Sequence, residues 1–337
     1  MKDLRVFEGS VMYLVIGILF LSSSLALSYV NAAIEVQLLI TQYLIIGMPP
    51  LLYLWIKKKP ILKLLRFQKL SIKTVLYIII ITLLFYPIAV LMNAIIMLFL
   101  SFLGPIDIPQ IPTAVTSQQY LLYLLIIAFS AGICEEVLFR GFIMRSLEKV
   151  GYKFAIVFSA LMFGIFHFNI YNLGATVFFG IFFGYLVVLT NSIWAGVIGH
   201  ITNNAFAVTL GFLVNRMQEY TQDILAEAGD GVGTEMISSF ELLMAIGLFG
   251  FIALGTGFGA LLILRHLRRI YHHQDPLLYQ KEEGGTLSEG ENLERDAWEM
   301  KNYQLKEFWP IIPIFIMFIV FTGFQLYQVV ANAGFLS

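Results

Sequence analysis

Apolar runs near 20 residues long, separated by short polar or basic connectors, dominate the chain. They fall at 10–30, 36–56, 74–103, 119–147, 153–168, 173–190, 193–214, 240–264 and 308–331. A helix rises about 1.5 Å per residue against roughly 30 Å of hydrocarbon, so about 20 apolar residues suffice to cross it. The pattern predicts an all-α, polytopic membrane helical bundle of about nine transmembrane helices. The fifth and sixth runs are short, and the third and fourth are long enough to tilt. Pro49-Pro50 and Pro87 are expected to kink the second and third helices. The first run follows Lys2 and Arg5 but exceeds the roughly 7–15 apolar residues of a secretory signal, so it reads as an uncleaved first helix.

The connectors set the orientation. With the N-terminus in the cytoplasm, every lysine and arginine except Arg140 and Arg216 falls on the cytoplasmic side, which is the side that short basic loops keep to. Ile61–Leu70 alternates apolar and basic residues at helical spacing and is expected to lie along the inner leaflet, with a plain connector as the other reading. The charged, Gly-containing stretch 271–306 reads as a solvated cytoplasmic loop, and 217–239 as an acidic outer loop. Three regions follow: N-terminal helices with the basic amphipathic segment (1–117), a core (118–214), and the outer loop, eighth helix, charged loop and ninth helix (215–337).

Composition strengthens the membrane reading. The 337 residues are 59% hydrophobic and only 13% charged, against about 25% charged for soluble domains. A net charge of -1 gives no hint of a nucleic-acid partner. A single cysteine, Cys134, excludes an internal disulfide and a Cys-rich metal site. The basic bias and short loops point to a bacterial plasma membrane, with the endoplasmic reticulum as the alternative.

Against this apolar background, Glu135-Glu136-Val-Leu-Phe-Arg140 stands out. Each ionised group at mid-bilayer costs roughly 3 kcal/mol on insertion scales, so three in six residues call for a buried chemical role. Glu136 and Arg140 lie at i and i+4 and are expected to pair. Glu135 is rotated by about 100° and must point elsewhere, which leaves it as the unneutralised carboxylate and candidate base. His167 ends the fifth run; His200 and Asn204 share one face of the seventh. Alone, His167 would be an interfacial histidine and His200–Asn204 a helix-to-helix hydrogen-bonding pair. Counted from the cytoplasmic ends at about 1.5 Å per residue, Glu135, His167 and His200 all reach the middle band of the membrane. Gly196, Gly199 and Gly180-x-x-x-Gly184 allow close backbone approach around them.

Glu-Glu-x-x-x-Arg, Phe-x-x-x-His and His-x-x-x-Asn, in that order on three membrane helices across about 118–212, resemble the CPBP family of CAAX proteases and bacteriocin-processing enzymes. The resemblance implies an intramembrane endopeptidase with Glu135, His167, His200 and Asn204 as the catalytic constellation and Glu136 and Arg140 as its support. Chemically, Glu135 aided by His167 would activate a water, and His200 and Asn204 would bind the oxyanion. No cofactor is then required. In the competing metal reading, Glu135, His167 and His200 ligate zinc with Glu136 as base, although His-Glu-x-x-His is absent. Nothing sets Cys134 against a histidine base. Non-enzymatic binding of membrane proteins or transport remains as a third class, but the chain shows no internal repeat of the carrier kind. The expected partners are the bilayer and a membrane-associated or lipidated protein or peptide substrate.

Overall fold

The computed structural model describes residues 4–106, 112–228, 239–272 and 305–332. Among them run nine apolar helices: α1 (Val6–Tyr29), α2 (Ile34–Ile56), α3 (Ile72–Ser101), α4 (Ser117–Leu147), α5 (Tyr152–Phe166), α6 (Leu173–Thr190), α7 (Ile193–Ala228), α8 (Ser239–Ile270) and α9 (Ile312–Asn332). Eight belong to segments long and apolar enough to span a membrane; α5, with 15 residues, is shorter and reaches only about 22 Å. The protein is an all-α multi-pass membrane protein.

Helix α4 is the axis of the bundle. Every residue from Val137 to Met144 is buried, so this half of the helix carries no lipid-facing stripe. Helices α1, α2, α5 and the start of α9 share one core with it, in which Tyr13, Ile46, Phe139, Phe142 and Ile314 meet. A second core joins α3, α6, α7 and α8 through Ile78, Phe85, Phe182, Ala195 and Ala260. Close approach of α7 to α4 depends on two glycines. A Cβ on Gly132 would lie 2.5 Å from the Ile201 side chain, and one on Gly196 would lie 2.5 Å from Glu136 Oε2.

Three stretches depart from α geometry: Ile40–Gly47 in α2, and Leu124–Ser130 and Val137–Met144 in α4, are π-helical. Such widened turns recur at functional sites. Pro49 and Pro50 fall in the first turn after the α2 widening, where a missing backbone donor is tolerated, and α3 runs unbroken through Pro87.

The predicted cytoplasmic segments gather at one end of the bundle. Arg66 forms two hydrogen bonds of 2.6 and 2.9 Å to Glu148, and its carbonyl accepts from Ile193 N. Tyr53 donates to Glu8, Phe7 N to Glu307, and Thr74 and Tyr271 share a 3.1 Å hydrogen bond. The opposite end is held by Asn93–Asn172, Tyr120–Thr209 and Asn215 to the Ala114 carbonyl.

Two connector expectations change. The stretch Ile61–Leu70 contains only one helical turn, Ile61–Leu64, after which Arg66 adopts φ +55°. Leu64, Leu65 and Arg66 turn inward instead of lying along a leaflet, because Arg66 is drawn to Glu148. Helix α7 also continues through Ala228 into the supposed acidic loop: 211–228 contains no Pro and only Gly211, and Arg216 pairs with Glu219 one turn on. The stretch 273–304, most of the charged loop, lies outside the described residues.

Candidate active site

The local pair is made as its spacing predicts. Arg140 donates to Glu136 Oε1 at 2.7 Å, with the two side chains 1% and 0% exposed. Arg140 also donates to the Gly180 carbonyl of α6 at 3.1 Å, and its guanidinium lies 4.7 Å from the Phe163 ring centroid and 5.8 Å from that of Phe183. One cation thereby joins α4, α5 and α6. Its charge is balanced by Glu136 in a setting where an unpaired ion would be very costly.

Glu136 has a further role that spacing alone does not reveal. Its Oε1 also contacts His200 Nδ1 at 2.9 Å. A carboxylate only accepts, so Nδ1 carries the hydrogen and Nε2 is the free edge of the ring. Phe183 stacks on this imidazole at 5.6 Å and Phe163 meets it edge-on at 5.7 Å. His200 Nε2 then sits 3.8 Å from Glu135 Oε2. The carboxylate beside Glu135 in sequence thus aims the imidazole that faces Glu135.

Glu135 is 8% exposed and, although it lies outside the Glu136–Arg140 pair, it has neighbours that spacing did not predict. Besides His200, Gln42 Nε2 of α2 donates to Glu135 Oε1 at 2.9 Å. Gln42 is itself 8% exposed, and its Oε1 has no hydrogen-bond partner among the described residues. An isolated amide 93 positions upstream carries no spacing signal, which is why sequence reasoning passed over it. Its one cue is that it is a polar residue in an apolar run.

His167 caps the end of α5, with Nδ1 on the Phe163 carbonyl at 2.8 Å, leaving Nε2 as its free nitrogen. Asn204 donates through Nδ2 to the Ile127 carbonyl at 3.0 Å and accepts from Asn203 through Oδ1. One Nδ2 hydrogen therefore remains uncommitted, fewer than the free carboxamide that the sequence suggests.

Glu135, His167, His200 and Asn204, with Gln42, line one cavity of about 560 Å³. Three helices thus deliver the four predicted groups to one space, and α2 adds the amide. Among the described residues no group of three His, Cys, Asp or Glu is placed to hold a metal ion, so Glu135, His167 and His200 do not form a ready three-ligand site. Cys134 is buried, faces Gly47 and lines a different, apolar hollow.

Comparison with known proteins agrees with the motifs. Residues 117–206 match the family described as Type II CAAX prenyl endopeptidase Rce1-like, an interval that contains Glu135, Glu136, Arg140, His167, His200 and Asn204 but not Gln42. A protein of Bacillus subtilis (strain 168) named "Putative membrane peptidase YdiL" is 31% identical over 94 residues, which is 28% of this chain and 38% of that protein. The chain thus matches well under half the length of this curated relative. No solved structure matches it. The similarity is confined to the part of the chain that carries the three motifs.

Proposed function

We propose that the protein is an intramembrane endopeptidase that hydrolyses a peptide bond in a membrane-associated protein or peptide by means of a glutamate-activated water. One observation carries this reading. A buried carboxylate, two imidazoles with free Nε2 edges and a carboxamide, delivered by three helices, line a single cavity inside an otherwise apolar bundle. Intramembrane ionisable groups are retained where they act, and here they converge.

The chemistry follows from these positions. Glu135 takes a proton from water as its oxygen attacks the scissile carbonyl carbon, with His167 assisting from across the cavity. The oxyanion that forms accepts hydrogen bonds from a protonated His200 Nε2 and from the remaining Asn204 N–H. As the C–N bond breaks, the proton held by Glu135 passes to the departing amine, which balances the hydrolysis. Glu136 and Arg140 do not touch the substrate in this scheme; they fix His200 and the rotation of α4. No metal is assigned a step. The relative in Bacillus subtilis and the basic bias support a bacterial plasma membrane as the setting.

The test is a comparison of membrane-protein fragments from cells carrying the wild-type chain and Glu135→Ala at equal expression. Fragments that vanish in the variant support the peptidase. An unchanged fragment set would sink it and favour a binding or transport role.

A further inference from the structure

The walls of the catalytic cavity are not distributed evenly between the two ends of the bundle. From Glu135 the α4 helix has about 18 Å to run to Leu147 at the basic end, and His200 lies about 10 Å above Ile193. This interval is filled. Phe139, Phe142, Met144 and Ile193 are at most 1% exposed, and the Arg66–Glu148 pair closes the surface beneath them. None of the basic-end residues 57–73, 145–153 or 190–195 lines the cavity.

In the other direction the lining continues. It includes Asn93, Thr113, Ala114, Asn172, Val208 and Gly211. Asn93 is about 31 Å along α3 from its basic-end start at Ile72, and Gly211 is about 16 Å beyond His200 along α7. The basic end is the cytoplasmic one by the distribution of lysine and arginine. The cavity therefore leads from Glu135 to the opposite, extracytoplasmic side. Among the described residues, apart from Glu135 no Asp, Glu, Lys or Arg lines it, while Asn93, Asn172, Asn203 and Asn204 supply side-chain amides. Such amides match the donors and acceptors of a peptide backbone and supply no countercharge to a charged side chain.

We propose that the enzyme takes its substrate from the extracytoplasmic side, as an extended and uncharged juxtamembrane segment of a membrane-inserted polypeptide. This rests on the peptidase reading for what happens at Glu135, but the route of access can be measured without any activity. In a Cys134→Ala background, single cysteines are introduced by Ala207→Cys and Asn203→Cys in the cavity and by Lys57→Cys at the basic end. Each is exposed to a membrane-impermeant sulfonated maleimide, in intact cells and in inside-out vesicles. The two cavity positions are expected to react in intact cells and not in vesicles, and Lys57→Cys the reverse. Cavity labelling from the cytoplasmic side, from both sides or from neither overturns the proposal, as does labelling of Lys57→Cys in intact cells.

A second arm separates the two readings. The cleavage sites of Glu135-dependent fragments are mapped onto the topology of the proteins that yield them, and are expected on the extracytoplasmic side. Cytoplasmic cleavage sites would overturn the access route and leave the peptidase standing. External labelling with no Glu135-dependent fragment would leave the route standing and remove the peptidase.

Discussion

Replacing Arg140 with alanine removes four contacts that join α4 to α5 and α6 and balance the charge of Glu136. The guanidinium is lost from its 2.7 Å bond to Glu136, its 3.1 Å bond to Gly180 O and its place between Phe163 and Phe183. Glu136 would remain fully buried with His200 as its one hydrogen-bonding partner. Removing one member of a buried pair costs about 3–5 kcal/mol, because the partner charge stays desolvated. Arg140→Ala should therefore lower unfolding stability by about that amount, and the folded yield with it. The assay is denaturant unfolding of purified protein in mild detergent. Pairing Arg140→Met with Glu136→Gln exchanges two ions for neutral groups of similar size and should recover at least half of the loss. That double variant should still be inactive, since His200 loses its carboxylate. A loss below about 1 kcal/mol for Arg140→Ala, or a double variant no more stable than the single one, would show that the pair does not hold the helices as described.

Gln42→Leu should lower kcat by about 10- to 100-fold with KM and folded yield little changed, since one hydrogen bond to a charged group is worth about 1.5–3 kcal/mol; unchanged kcat would remove Gln42 from the site. Gly196→Ala sets a Cβ against Glu136 Oε2 and should cost about 1–3 kcal/mol and most of the activity, whereas Gly247→Ala meets nothing within 4 Å and should be neutral or slightly stabilising. Equal behaviour of the two in thermal unfolding would contradict the close α4–α7 contact. Chelator should leave fragment production unchanged; its loss and restoration by zinc would replace the water-only mechanism with a metal one.

What the sequence made legible was local or one-dimensional. Helix positions followed from runs of apolar residues, whose length against hydrocarbon thickness is a strong constraint, and all nine starts lie within four residues of expectation as α1 to α9 are drawn. Glu136–Arg140 was readable because i, i+4 partners share a helix face whatever packs around them. The bond from Glu136 to His200 was not, because it depends on α7 seating against α4 across Gly132 and Gly196, and no spacing within either helix encodes that register. Gln42 escaped for the same reason at greater sequence distance. The one-turn collapse at Ile61–Leu64 shows the limit of periodicity: a basic amphipathic pattern suggested a surface helix, but the buried pull of Glu148 on Arg66 decided the conformation.

The central claim is that Glu135 activates a water which itself attacks the peptide. It is tested most directly by a single turnover of purified protein in ¹⁸O-labelled water, with a substrate taken from the Glu135-dependent fragments. The account predicts that the newly formed carboxyl terminus carries one ¹⁸O with the wild-type chain and that Glu135→Ala yields no product. A product without ¹⁸O, which would mean that its new oxygen came from the Glu135 carboxylate through an acyl anhydride opened by water at the Glu135 carbonyl, or cleavage that persists in Glu135→Ala, would contradict it.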